Sequence, residues 1–285
     1  MIITELTGGL GNQMFQYAFG RYISYLNETP LKICYRVNKN FPRQYELFYF
    51  QIIENFASKL EIFKLKGLNK TSLLNKIVNR FIFHKNLLLQ KKYYYDKSIL
   101  ESCLNSKNIY LKGYWQSKNY FKGIEEIIKK EFTLKNRFIK YKLPEKSKIL
   151  KTNSVSVHIR RGDYLSPSSL QNLGLCSLKY YEAAIAYIKS KEKNPVFFIF
   201  SDDIKWVKTN LNIDLSLYYI ENNPGYLDMH LMSLCKHNII ANSSFSWWGA
   251  WLNNNQEKIV IAPKKWFFKK ERENETPVLK NWIKL

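Results

Sequence analysis

Cysteine is scarce in this chain. Cys34, Cys103, Cys176 and Cys235 lie far apart and form no CxxC pair. That spacing argues against a zinc ribbon or a disulfide framework and reads as reduced, mostly buried thiols. Histidine is equally sparse: His84, His158, His230 and His237 include no HExxH or other paired spacing, so no catalytic metal is expected. No apolar run approaches the ~18–20 residues that cross a bilayer. The opening stretch, MIITELTGGLGNQ, lacks the basic start and apolar core of a secretory signal, and a cytoplasmic location is expected. Internal repeats, long low-complexity tracts, and recognition-helix or RNP patterns are missing as well. Acids are in deficit too: 23 Asp and Glu stand against 45 Lys and Arg, a net charge of +22.

A charge of this size attracts anions over long range: nucleic acid, anionic lipid or a phosphorylated substrate. Much of the excess is Lys in Lys/Asn/Ile-rich stretches such as Lys64-Leu65-Lys66 and Lys129-Lys130, so a drift in amino-acid usage is the competing explanation. A basic nucleic-acid-binding protein is the alternative from a different class. It would account for the charge but not for the polar loops described next.

What is present is apolar and aromatic. Hydrophobic residues make up 46% of the 285 residues and aromatics 16%. A sizeable core can form, and the length suits two compact domains of about 130–150 residues each. Ile2 to Leu6 reads as a strand, TGGLGN as a turn and Gln13 to Leu26 as an apolar helix, the opening of an α/β unit. Residues 36–110 hold apolar helical patterns, among them LLNKIVNRFIFHKNLLLQKK, without strong breaks. IYLKGYWQSKNYF (109–121) reads as strand, turn and helix start. Residues 133–152, rich in Lys and lacking periodicity, are the expected linker, with domains at 1–145 and 146–285. From Ser154 onward, strands VSVHI, PVFFIFSDD, LSLYYIE and KIVIAPKKW alternate with helical patterns. That order predicts a parallel sheet.

In an open parallel α/β sheet, ligands bind beyond the carboxyl ends of the strands. Four polar loops fall at such ends, the pattern of a cleft between two such domains. GGLGN (Gly8, Gly9, Gly11, Asn12) lets backbone N–H groups approach a phosphate or sugar at a helix N-terminus. It is a poor dinucleotide fingerprint, since the third glycine and the ribose acid are missing, which weakens an NAD-type oxidoreductase reading. A generic glycine turn competes, but Asn12-Gln13 opening the helix favours a ligand. In HIRRGDY (158–164), two guanidiniums at a buried strand end are costly unless an anion awaits them. Arg160 is assigned to the ligand and Arg161 to a structural pair with Asp163. FSDD (Phe200–Asp203) offers two acids, either of which also serves as a helix N-cap. NSSFSWWGAWL (242–252) puts hydroxyls at another helix N-terminus. At least two of Trp247, Trp248 and Trp251 read as core.

Taken together, GGLGNQMFQYAFG, GYWQS (113–117), HIRRGDY, FSDD followed by Trp206, and DMHLMSLCKHNIIANSSFSWWGAWL (228–252) closely resemble the bacterial α-1,2-fucosyltransferases of glycosyltransferase family 11, in order and over nearly the whole chain. The resemblance implies a GT-B-like α/β fold, two Rossmann-like domains facing across a central cleft. The first would be the acceptor-side domain and the second would bind GDP-β-L-fucose. Fucose would pass to the 2-hydroxyl of a terminal galactose with inversion, and no metal or other cofactor would be required. Arg160 matches the arginine on the donor's diphosphate, and His158 a residue near the nucleotide. Asp202 or Asp203 would read the guanine. Ser243, Ser244 and Phe245 would line the donor pocket, with Gly11, Asn12 and Gln13 reaching it from the first domain. Asp163 is placed between buttress and general base, with Glu46 a weaker base candidate. Tyr114, Trp115 and Gln116 would form the acceptor platform. Another acceptor on the same fold is the nearest alternative. The partners expected are GDP-fucose and a galactose-terminated glycan, with the basic surface against the inner face of the cytoplasmic membrane, and no nucleic acid.

Overall fold

The computed structural model describes residues 1–36, 43–67, 86–90, 95–139, 144–211, 213, 217–272 and 275–285. The chain forms two compact units, Met1–Lys135 and Asn136–Leu285.

The N-terminal unit is built on a four-stranded sheet. Strand β1 (Ile2–Leu6) is buried along its whole length. It runs through a glycine turn into α1 (Leu10–Leu26). Then follow β2 (Leu31–Tyr35), α2 (Lys59–Lys66), β3 (Leu87–Leu89), α3 (Lys97–Cys103), β4 (Ile109–Lys112) and α4 (Glu125–Glu131). The sheet order is β2-β1-β4-β3, all parallel. Helix α2 starts on a full capping box: Ser58 Oγ accepts from Glu61 N, and the Glu61 carboxylate accepts from Ser58 N. The helical pattern expected over 73–92 lies largely outside the described residues, and its described part, Leu87–Leu89, is a strand. A short apolar run fits either element, and here pairing with β4 decides.

The C-terminal unit holds α5 (Asn136–Ile139), α6 (Pro144–Lys151), β5 (Asn153–Ile159), α7 (Pro167–Asn172), α8 (Leu178–Lys191), β6 (Pro195–Ser201), α9 (Ile204–Asn210), β7 (Leu217–Ile220), α10 (Gly225–Leu234), β8 (His237–Ile239), α11 (Ser244–Leu252), β9 (Val260–Ala262) and β10 (Ile283–Lys284). Six parallel strands run in the order β10-β9-β8-β5-β6-β7. This is the parallel sheet the strand–helix alternation predicts. Val155, Val157, Phe197, Ile199 and Ile239 are fully buried against Ala184 and Ile188 of α8. Each such side chain contributes about 1.5–3 kcal/mol. On α11, Trp247 and Trp248 are fully buried and Trp251 nearly so. The Trp247 indole N–H donates to Pro277 O at 2.8 Å.

The expected linker is corrected. Pro144, at a first-turn position where its missing N–H costs nothing, begins α6. Ile149 of that helix is fully buried. Phe138 of α5 packs edge-on to Tyr226 of α10, ring centroids 5.8 Å apart. Both helices therefore belong to the C-terminal unit, which begins at Asn136, ten residues before the expected break at 145/146.

Candidate functional site

In the C-terminal unit the polar loops follow the carboxyl ends of β5, β6 and β8. Strand β5 delivers Arg160 and Arg161, β6 delivers Asp202 and Asp203, and the residues after β8 lead through Asn242 and Ser243 into α11. The β5–β6 register, Ile159 opposite Ser201, brings the two pairs side by side.

The charges interlock. Arg160 Nη1 lies 2.8 Å from Asp202 Oδ2, and Arg160 Nη2 donates to Asp163 Oδ1. Arg161 Nε lies 3.1 Å from Asp203 Oδ2, and its guanidinium stacks 3.5 Å above the Trp206 ring. Asp202 Oδ1 accepts from the Arg161 backbone N–H at 2.8 Å. Asp203 Oδ1 also caps α9 by accepting from Trp206 N at 3.2 Å. Gly162 is required by close approach: a Cβ there would sit 2.4 Å from Asp202 Oδ2. Beneath the loop, Tyr164 donates to Asn242 O at 3.0 Å. The Asn242 amide donates to Leu173 O and Trp266 O.

This corrects the assignment of the arginine pair. Arg160, not Arg161, meets Asp163, and it meets Asp202 as well, while Arg161 belongs to Asp203. The reason is geometric, since the β5–β6 register sets Asp202 and Asp203, from the neighbouring strand, beside the two arginines. Arg160 keeps a buried Nε with no partner. Two guanidiniums against three carboxylates give the array a formal net charge of −1, with both terminal nitrogens of Arg160 engaged by carboxylates.

His158 is 4% exposed. Burial, reinforced by the Arg160 charge, pushes its pKa down to about 3, so the ring is neutral at physiological pH. It packs against Phe245 at 5.4 Å between centroids, and its Nδ1 has no hydrogen-bond partner. Ser243 is the N-cap of α11, accepting from Phe245 N at 3.3 Å. Ser244 and Phe245 are half-buried. His158, Arg160, Asp163, Asp202, Asp203, Ser243, Ser244 and Phe245 thus all lie on or beside the carboxyl edge of one sheet.

In the N-terminal unit the glycine turn ends β1 and the GYWQS loop ends β4, two strands that pair directly. Gln116 Nε2 donates to Asn12 Oδ1 at 2.7 Å, tying the loops together. Gly11 is buried, and Asn12, Tyr114 and Gln116 are half-buried. Two expected contacts are corrected. Gln13 is fully buried, with its amide donating to Gly8 O and Gln44 O and accepting from Glu46 N. It staples the glycine turn to the 44–46 segment and has no surface for a ligand. Trp115 is also fully buried, 4.4 Å from Phe19 and 5.6 Å from Tyr120 between ring centroids, so it is core and not platform. Its φ of 54° is left-handed backbone, costing of order 1 kcal/mol. Gln90 Oε1 holds that conformation by accepting from Tyr114 N and Trp115 N. Gly113 leaves room for the clip, since a Cβ there would lie 2.4 Å from Gln90 Cβ.

Sequence reasoning missed Gln90, Tyr164, Asn242 and Trp206 as loop anchors. Only Trp206 had a signal, an aromatic one turn into the helix that Asp203 caps. Among the described residues, no three His, Cys, Asp or Glu side chains converge as metal ligands would. No helix among them is long and apolar enough to cross a membrane.

The family description "Glycosyl transferase family 11" matches residues 1–285. An α-1,2-colitosyltransferase of Escherichia coli is 39% identical, covering 100% of this chain and 99% of the relative. The O-antigen biosynthesis glycosyltransferase WbnK of Escherichia coli is 35% identical over 98% of this chain and 99% of its own. Among solved structures, the fucosyltransferase NodZ from Bradyrhizobium aligns with a TM-score of 0.51 at 12% identity, covering 87% of this chain and 91% of that one. That likeness shows the fold, which is GT-B-like, as the resemblance implied.

Proposed function

We propose that this protein, which belongs to glycosyl transferase family 11, moves L-fucose from GDP-β-L-fucose to the 2-hydroxyl of a terminal galactose with inversion and without a metal. Family membership makes it a glycosyltransferase. The observation that carries the finer reading is the arginine array at the ends of β5 and β6. Breaking the sugar–phosphate bond builds negative charge on the leaving GDP, which preorganised donors must stabilise. Arg160 supplies a guanidinium that is 20% exposed at the strand edge. The diphosphate takes the place of Asp163 or Asp202 on its terminal nitrogens. The carboxylates hold the guanidinium in its binding orientation meanwhile, so little ordering is left to do when the nucleotide arrives. The N-terminus of α11 behind Ser243 and Ser244 adds backbone N–H groups for the same charge. Asp203, fixed by Arg161 and the α9 cap, presents the acid for the guanine edge, with Asp202 as its neighbour.

The incoming galactose hydroxyl must lose a proton. Asp163, released from Arg160 when phosphate binds, becomes the base in this reading. Tyr114 and Gln116, held by Gln90 and Asn12, present the acceptor surface. The colitosyltransferase relative favours a second reading in which the donor sugar is colitose, the 3-deoxy counterpart of fucose. The two differ at one hydroxyl, so matched assays separate them. The protein is incubated with galactose-terminated acceptors and GDP-fucose, GDP-colitose or UDP-sugars, with GDP release followed and the product linkage read by NMR. An α-1,2-fucosyl product with kcat/KM at least tenfold above that for GDP-colitose is the expected result. The reverse ratio replaces fucose with colitose, and turnover of UDP-sugars alone ends both readings.

A further inference from the structure

At the carboxyl edge of the N-terminal sheet, Glu5 is 5% exposed. Lys66 Nζ lies 2.6 Å from its Oε2, and the Tyr110 hydroxyl donates to the same oxygen at 2.5 Å. Burial alone would raise the Glu5 carboxyl, but the hydrogen bonds from Lys66 and Tyr110 outweigh it and hold it below the ordinary range. The acid is therefore ionised and matched by Lys66, whose side chain is itself only 16% exposed. Two more cations reach the same carboxylate at longer range, Arg36 Nε and Lys112 Nζ, each at 3.5 Å. Their side chains are 48% and 50% exposed. Three cations thus meet one acid, a local surplus of +2, and two of the three are about half exposed to solvent, Arg36 also hydrogen-bonded to Cys34. The segments adjoining these elements in sequence, 37–42, 68–85 and 91–94, contain no Asp or Glu.

We infer that Arg36 and Lys112, braced on the buried Glu5–Lys66 pair, form an anion site that takes a phosphate group carried by a co-substrate. Arg36 follows β2 directly and Lys112 ends β4, the strands on either side of β1. Their charged groups therefore flank the strand that runs into the glycine turn. A guanidinium and an ammonium held apart by a fixed carboxylate suit the spread oxygens of a phosphate or diphosphate. The Glu5 carboxylate holds Arg36 Nε and Lys112 Nζ, one on each oxygen, without neutralising both. The inference deepens the proposed transfer by naming a group on one of its substrates, yet the site can be tested by binding alone.

Pyrophosphate is titrated by calorimetry into the wild-type protein and into Arg36→Gln/Lys112→Gln, each with and without saturating GDP. The expected result is a pyrophosphate site present in the wild type and weakened at least tenfold in the double variant. The charge-preserving Arg36→Lys/Lys112→Arg protein should restore it. Equal binding by wild-type and glutamine variants, or no binding by the wild type, overturns the inference whatever sugar the protein transfers. If the lost site survives GDP in the wild type, the phosphate belongs to the acceptor. The KM ratio of a diphosphate-linked galactoside to a neutral galactoside should then rise tenfold in the variant. If GDP displaces pyrophosphate there, the phosphate is the donor's, and the KM for the nucleotide sugar rises instead. Should the glutamine pair fail to fold, Lys112→Gln alone, at a half-exposed end of β4, provides the same comparison.

Discussion

At the carboxyl edge of the C-terminal sheet, Arg160 and Arg161 face Asp163, Asp202 and Asp203. At the corresponding edge of the N-terminal sheet, Arg36, Lys66 and Lys112 face Glu5 alone. Each edge is formed by the carboxyl ends of parallel strands, and their charge balances are opposite. Net charge of +22 therefore says nothing about either edge by itself. Where acids outnumber arginines, the guanidiniums are held in place for an exchange of partners. Where cations outnumber the acid, charge is held out to solvent.

Breaking the C-terminal array at its centre should have the largest effect. Arg160→Lys keeps the charge but loses the planar fork that spans Asp163 and Asp202, and kcat/KM should fall by about 10²–10³. Circular dichroism should show an unchanged fold, and near-normal turnover would remove Arg160 from the phosphate-binding role. Next is Asp202→Ala, which strands Arg160 Nη1 and the Arg161 N–H. Because the Asp202 side chain is 26% exposed, the cost should be about 1–3 kcal/mol, read from urea unfolding. Lys112→Ala at the other edge should stay within about 0.5 kcal/mol. Similar costs at the two edges would erase the distinction between locked and open charge.

Acid titration sharpens the N-terminal side. The folded pKa of Glu5 lies below its unfolded value, so the group stabilises the fold at neutral pH. That contribution fades as the pH falls below about 4.3. Tm measured from pH 6 to pH 3 should drop less steeply in Glu5→Gln than in the wild type, starting from a lower value. A titration of the opposite sign is expected at Asp228 on α10, an acid away from both edges. Burial first, then the nearby Glu145 charge, raises its pKa to about 7 against an opposing pull from the Asn223 side chain. With the folded pKa raised, the proton favours the fold, and stability declines as the pH climbs from about 4 through 7. The Tm at pH 8 should be below that at pH 5, and Asp228→Asn should shrink the difference.

Much of the fold was readable because the strands of the C-terminal sheet are buried on both faces. PVFFIF is a near-continuous apolar run between helical periods, as strands of a parallel sheet are, whereas VSVHI alternates, and its Ser156 and His158 are buried as well. Helices α5 and α6 were hidden because a Lys-rich helix that buries little more than Ile149 has almost no apolar period to detect. The loops of the site were legible as loops, since glycines, arginines and acids at strand ends have no packing reason to be there. Which arginine meets which acid was not legible, because Asp202 is 41 residues from Arg161 in sequence and is brought beside it only by strand register. Gln13 and Trp115 misled for a related reason. An amide and an indole look like ligand groups in a sequence, but backbone partners and ring packing consume them in the fold.

The stack of Arg161 on Trp206 has a practical consequence. Trp115, Trp247, Trp248, Trp251, Trp266 and Trp282 are buried, whereas Trp206 is half-exposed beneath a guanidinium at 3.5 Å. Small quenchers such as iodide will therefore reach this indole before the others, and its emission will sit to the red of theirs. The molecule carries its own optical reporter at the edge of the proposed nucleotide-sugar site, so occupancy can be followed by the loss of quenching, without a label.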